Sequence, residues 1–214
     1  MKTLLELLAE NNHYCNDPKQ KVDRWNGWGM GTDKEVSHQY CSLFYQEHFQ
    51  PYQDKPITLI EIGLCTGASL LLWKDFFVNA DIHGIDITDQ HWLPGLTQDR
   101  ITTYHFNGYE KQNADQLPNA DIIIDDGPHH RDSWTSCLEL YLPKLNYGGL
   151  LVIEDINDFE FTTVLADKVK DYKHQVFDFR NTPYPDGLDL GMWGNRQVSR
   201  PVVPADSVML AVWK

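Results

Sequence analysis

The stretch Ile57-Thr58-Leu59-Ile60-Glu61-Ile62-Gly63-Leu64-Cys65-Thr66-Gly67 passes from a short β-branched apolar run through two glycines into the helical pattern of Ala68 to Phe77. β-Branched residues favour extended backbone, and glycine turns sharply without a Cβ penalty, so the reading is a buried strand, a tight turn and a helix. The same alternation recurs along the chain. Asp81 to Ile87, Ile101 to Phe106, Asp121 to Asp125 and Leu150 to Glu154 read as strands, with Asp132 to Leu145 a helix between the last two. Thr162 to Lys170 reads as a further helix, and Gln175 to Phe179 and Val208 to Val212 as two closing strands. Strands alternating with helices require crossover connections, which predicts an α/β fold with a mostly parallel, Rossmann-like sheet of seven strands and helices on both faces.

Working outward, Leu4, Leu5, Leu7 and Leu8 recur at helical spacing, so residues 3–10 form a short helix whose preferred role is packing on the body. An assembly role for that helix, and with it a homo-oligomer, stays open. Residues 11–34, rich in Asn, Asp, Gly and Trp and holding Pro18, read as an irregular arm, and a helix follows over about 35–49. The loop 181–206 is long for a compact domain and carries Tyr184, Asp186, Asp189, Trp193, Arg196 and Arg200, which suits a lid over a substrate. The whole of 1–214 is expected to be one domain.

Composition narrows the partners. With 18 basic and 31 acidic residues the formal charge is −13, which repels a polyphosphate backbone and argues against nucleic acid. Cys15, Cys41, Cys65 and Cys137 form no CxxC pair, so reduced thiols in a cytoplasmic protein are expected rather than a disulfide or zinc framework. Met1 to Glu10 has no basic n-region or cleavage site, and no run reaches the length of a membrane span.

The turn after the first strand reads E-x-G-x-x-x-G, with Glu61, Gly63 and Gly67, and lacks the G-x-G-x-x-G of a dinucleotide fingerprint. That spacing suits S-adenosylmethionine better than a nicotinamide cofactor. Asp86, at the end of the second strand, stands where a carboxylate receives the hydroxyls of a ribose.

The fourth strand ends in Asp125-Asp126-Gly127-Pro128-His129-His130 and the fifth in Glu154-Asp155, so four acids meet at the carboxyl edge, where open α/β sheets bind ligands. Such crowding is costly unless protons or a cation neutralise it, and carboxylate oxygens suit Mg²⁺ or Mn²⁺. Asp126, Glu154 and Asp155 are the ligand candidates. His129, three residues beyond Asp126, is the candidate general base for an acceptor hydroxyl.

These landmarks, together with Gly31-Thr32-Asp33-Lys34, His38 and Tyr40, resemble the metal-dependent sugar O-methyltransferases of macrolide pathways, the macrocin and mycinamicin type, and relatives labelled cephalosporin hydroxylase. The resemblance spans about residues 27–156. It implies a class I methyltransferase fold, magnesium on Asp126, Glu154 and Asp155, and His129 as base. It also implies that the G-T-D-K segment folds over the cofactor's methionine end, adding Thr32 and Lys34 to Glu61, Gly63 and Asp86; Gly67, Ser69, Asn107 and Asp125 complete the candidate cofactor set. The chain departs from the family at Pro128, where serine is usual, and at Asn107-Gly108, where an aspartate often ends the third strand. At 214 residues no counterpart of the large N-terminal region of the macrolide enzymes is expected, so their acceptor does not simply transfer.

The expectation is therefore an O-methyltransferase for a sugar or polyhydroxylated small molecule. Methylation of a catechol or other aromatic diol is the alternative enzyme, and a non-catalytic S-adenosylmethionine-binding module the alternative outside catalysis. Iron oxygenase chemistry is set aside, because the adjacent His129 and His130 do not form a facial triad together.

Overall fold

The computed structural model describes residues 1–11, 31–35, 38–89, 96–97, 99–183, 189–193, 196–199 and 205–214, with backbone alone at 11, 189–193 and 196–199. Its main sheet consists of β1 (Thr58–Ile62), β2 (Asp81–Asp86), β3 (Ile101–His105), β4 (Ala120–Asp125), β5 (Leu145–Ile153), β6 (Lys173–Asp178) and β9 (Val208–Trp213). The strand order is β3-β2-β1-β4-β5-β9-β6. β1 to β5 run parallel, and β9 lies antiparallel between β5 and β6. The order reverses between β1 and β4, so a crevice opens there above the strands' carboxyl ends. This is the expected seven-stranded Rossmann-like sheet.

Side chains alternate across it. Leu59, Ile122, Ile124, Leu150, Val152, Met209 and Ala211 join one core, which α1 (Leu4–Asn11) and α3 (Ala68–Phe76) cover. Ile60, Ile62, Ile123, Leu151, Ile153, Leu210 and Val212 join the other, under α5 (Arg131–Tyr141) and α6 (Thr162–Lys168). Both faces being buried explains why the strands read as unbroken apolar runs. α5 supplies Trp134, Cys137, Leu138 and Tyr141, one stripe at i, i+3, i+4 and i+7. α1 buries Leu4, Leu7 and Leu8 and leaves Leu5 exposed, so its apolar face is spent on the core.

Three local readings change. The helix expected over 35–49 begins later, as a π-helical turn at Cys41–Tyr45 that leads into α2 (Gln46–Phe49) and a 3₁₀ turn at Gln50–Tyr52. The carbonyl of Lys34 accepts from the backbone N–H of Tyr40 (2.6 Å) and Cys41 (3.2 Å), so the preceding segment closes on itself before regular helix starts. The loop 181–206 contains an antiparallel hairpin, β7 (Asp189–Trp193) with β8 (Arg196–Ser199). These strands are four and five residues long, too short to give a decisive period. The short α4 (Lys111–Ala114) was not expected. The arm over 12–30 and the lid residues Tyr184, Asp186 and Arg200 lie outside the described residues. Among the described residues, no helix is long and apolar enough to cross a membrane.

Candidate functional site

The ladder continues one residue past the strand ends and sets the site's framework. Gly63 N–H donates to Ile85 O (2.8 Å), Asp126 N–H to Ile62 O (2.8 Å) and Glu154 N–H to Asp125 O (2.9 Å), so residues 63, 126 and 154 stand side by side above β1, β4 and β5. Left-handed backbone then turns each chain away: Gly63 (φ +87°), Cys65 (+50°) and Gly67 (+82°) after β1, His129 (+55°) after β4, and Asp155 (+52°) after β5. Non-glycine residues there cost about 1 kcal/mol or more, a strain that gathers at functional sites.

Asp126, His129 and Asp155 bring one ligand atom each within 4.8 Å of one another, the cluster with metal-holding geometry among the described residues. His129 stands between the two acids, Nε2 3.9 Å from Asp126 Oδ1 and Nδ1 4.0 Å from Asp155 Oδ2. Its Nδ1 is buried and has no hydrogen-bond partner. Asn157 Nδ2 donates to the His129 carbonyl (3.1 Å), while His130 N–H donates to Ser133 Oγ (3.1 Å) at the start of α5, so the strained residue is pinned on both sides. On the far side of Asp155, the Tyr40 hydroxyl donates to Oδ1 (2.5 Å) and His38 Nδ1 lies 3.6 Å from the same oxygen and 2.8 Å from Ser207 Oγ. Burial pushes the Asp155 carboxyl above the usual range. Burial alone would lower the His38 pKa, but the charge of Asp155 and its acidic neighbours prevails and raises it.

Glu154, the third expected ligand, is 1% exposed and accepts hydrogen bonds from the Lys34 ammonium and the Tyr45 hydroxyl. The left-handed backbone at Asp155 (φ +52°) turns the chain there, and the two adjacent carboxylates take different partners. Lys34, a cofactor candidate, is buried among the acids, with Nζ 2.7 Å from Asp126 Oδ2 and 3.4 Å from Glu61 Oε1. Thr32 is buried and accepts from Lys34 N–H (3.3 Å). Glu61, fully buried, accepts from Trp73 Nε1 (2.9 Å) and from the Ser69 hydroxyl; burial raises its pKa against the pull of Lys34. Glu61 and Ser69 thus brace the site from beneath.

Apart from Asp125, the other cofactor candidates lie at the carboxyl end of β2 or in the connections after β1 and β3. Asp86 Oδ2 accepts from the N–H groups of Leu64 (2.7 Å) and Cys65 (3.2 Å), and Oδ1 from Thr88 (2.9 Å), so it clamps the glycine turn from the end of β2. Gly67 is the residue before α3. Asn107 Oδ1 accepts from Tyr109 N–H (3.1 Å) in the turn after β3. Sequence reading assigned no role to Tyr45, Tyr109 or Ser207. A tyrosine inside an aromatic helical run is the available signal, since its hydroxyl needs a partner once buried.

Asp125 faces the α5 side, where Tyr109 hydrogen-bonds to Oδ1 and the buried Oδ2 has no partner. Burial pushes its carboxyl up to about 6, against a lowering from Tyr109. Between about pH 4 and 6 the folded chain keeps a proton that the unfolded chain has released, so stability falls as pH rises through that window and stays lower above it. Relative to wild type, Asp125→Asn is expected to gain up to about 3 kcal/mol between pH 4 and pH 7 in urea unfolding. A constant difference would mean that this carboxyl titrates normally.

The glycine turn, the strand order and the acids at the carboxyl edge define a Rossmann-like domain of the class I methyltransferase type. No protein-family profile matches the chain. It is 33% identical over 189 residues, 82% of its own length and 48% of the other's, to the 8-demethyl-8-alpha-L-rhamnosyl tetracenomycin-C 2'-O-methyltransferase of Streptomyces olivaceus. It is 32% identical over 123 residues, 52% of its length and 30% of the other's, to the mycinamicin VI 2''-O-methyltransferase of Micromonospora griseorubida. Among solved structures, the MycE methyltransferase of the mycinamycin pathway, in complex with Mg, SAH and mycinamycin VI, superposes with a TM-score of 0.55 at 26% identity, over 72% of this chain and 37% of that one. The chain is thus a homologue of the sugar O-methyltransferases of antibiotic pathways, and it spans about half the length, or less, of the curated relatives it matches.

Proposed function

We propose that the chain is an S-adenosylmethionine-dependent O-methyltransferase that uses a divalent cation, magnesium or manganese, and methylates a hydroxyl of a sugar or polyhydroxylated small molecule. The observation that carries this reading is the convergence of Asp126, His129 and Asp155 within 4.8 Å at the carboxyl edge, beside the glycine turn after β1. The residues fit both groups. Asp126 and Asp155 offer hard oxygens on the side where His129 keeps an unpartnered nitrogen, and Gly63 lets the turn lie directly on the Asp126 carbonyl. The unpaired cysteines Cys41, Cys65 and Cys137 suit a reducing, cytoplasmic setting.

In this mechanism Asp126 and Asp155, with Glu154 beside them, would hold the cation, and the turn at 63–67 with Asp86 would hold the cofactor. When bound, the cofactor would supply an electrophilic methyl group and the cation a positive charge for the acceptor oxygen. His129 takes the proton of the acceptor hydroxyl at a ring nitrogen. Tyr40 and His38 keep Asp155 in place from behind, and Asn157 keeps the His129 loop against it. Methyl transfer disperses the charge of the sulfonium, so alignment and exclusion of water are the protein's main tasks.

Calorimetric titration of S-adenosylhomocysteine, with Mg²⁺ or EDTA present, tests the reading. Wild type is expected to bind, and Asp86→Ala to bind at least about tenfold more weakly, since hydrogen bonds to a charged acceptor contribute about 1.5–3 kcal/mol. A folded wild-type protein that does not bind would sink the proposal.

A further inference from the structure

Lys34 is a charged side chain buried to 1% exposure that the proposed reaction does not use. Its ammonium meets carboxylates from three strand ends: Asp126 Oδ2 at 2.7 Å after β4, Glu154 Oε2 in a direct hydrogen bond after β5, and Glu61 Oε1 at 3.4 Å on β1. Glu61 Oε1 is buried and makes no hydrogen bond, so the nearby ammonium is the charge that balances it. The backbone of Lys34 is fixed as well: its N–H donates to Thr32 Oγ1, and its carbonyl receives Tyr40 and Cys41. The ammonium therefore fastens the segment 31–35 to the sheet, on the opposite side of Asp126 from the oxygen that faces His129.

We infer that Lys34 is a positioning residue for the cation site, an internal counter-ion that holds Asp126 and Glu154 and latches segment 31–35 onto the strand ends, rather than a contact of the cofactor. Its part in cation binding rests on the reading proposed above. Lys34 and a divalent cation lean on the same acids, so without the ammonium a divalent cation becomes their main neutraliser. The arrangement resembles a salt-bridged triad in which removing one partner costs far more than the pair contributes.

Lys34→Met keeps the length of the side chain and removes the charge. In EDTA its Tm is expected to fall by about 10 °C, and millimolar Mg²⁺ to recover several degrees of that loss while moving wild type far less. Its affinity for S-adenosylhomocysteine is expected to stay within about threefold of wild type, because the inference gives Lys34 no contact with it. The double variant Lys34→Met/Glu61→Gln removes one charge of each sign and is expected to melt higher in EDTA than the single variant. Should Lys34→Met fail to fold, the double variant and Lys34→Arg, which keeps the charge, carry the comparison, and a double variant that also fails while Lys34→Arg folds counts against the charge-balance argument. A tenfold loss of S-adenosylhomocysteine affinity with an unaltered response of Tm to Mg²⁺ would overturn the inference and return Lys34 to the cofactor. If wild type binds neither ligand, the methyltransferase reading fails, whereas the EDTA comparison of single and double variants still decides whether Lys34 is the counter-ion.

Discussion

Exchanging His129 for asparagine is expected to lower kcat by about 10²–10⁴, the usual worth of a positioned general base, while binding of S-adenosylhomocysteine and Mg²⁺ stays within a few-fold of wild type. Asparagine is the informative replacement for a backbone reason. His129 has φ +55°, and asparagine enters that left-handed region more readily than alanine, so the loop keeps its course and the change is confined to the ring. The ring stands 3.9 and 4.0 Å from oxygens of Asp126 and Asp155, beyond direct hydrogen-bond distance of either. Isothermal titration separates two roles for this ring. If Mg²⁺ affinity falls tenfold or more along with kcat, His129 is a ligand of the cation and the base lies elsewhere. If kcat alone falls, the proton-transfer role stands.

That ambiguity marks where sequence reading stops. The strands were legible because both faces of the sheet are buried, which leaves unbroken runs such as Ile122-Ile123-Ile124 ending abruptly in Asp125-Asp126. The row of acids at the carboxyl edge was legible for the same reason, since a strand that ends in carboxylates announces where its crevice is. The direction of each side chain was not. Glu154 and Asp155 are adjacent in sequence, yet one turns to Lys34 and Tyr45 and the other to Tyr40, His38 and His129. The partner that decides this, Lys34, lies 120 residues away from Glu154, a separation no local pattern reports. The hairpin within 181–206 escaped for a different reason: two strands this short are set by their pairing with each other and leave too brief an apolar period to detect.

Gly63→Ala is the substitution expected to damage the fold and the site together. A Cβ at Gly63 would lie 2.0 Å from the Asp126 carbonyl oxygen, 2.5 Å from its carbon and 2.9 Å from Gly127 Cα. All three are backbone atoms, so no rotamer change relieves the contact, and the start of the 126–129 loop has to move. The φ of +87° adds a conformational cost of about 1 kcal/mol, and overpacking adds about 1–3 kcal/mol more. A Tm loss of about 5–15 °C follows for a chain of this size. Gly148→Ala supplies the control: its φ is +78°, but nothing lies within 4 Å of the added Cβ, so it carries the strain without the collision and should lose only a few degrees. The displaced loop carries both Asp126 and His129, so Gly63→Ala should also lose binding of Mg²⁺ and S-adenosylhomocysteine at temperatures where it remains folded, and Gly148→Ala should keep both. Equal melting losses in the two variants would show that the turn after β1 is tolerant, and that contact between Gly63 and the Asp126 carbonyl does not hold the two halves of the site in register.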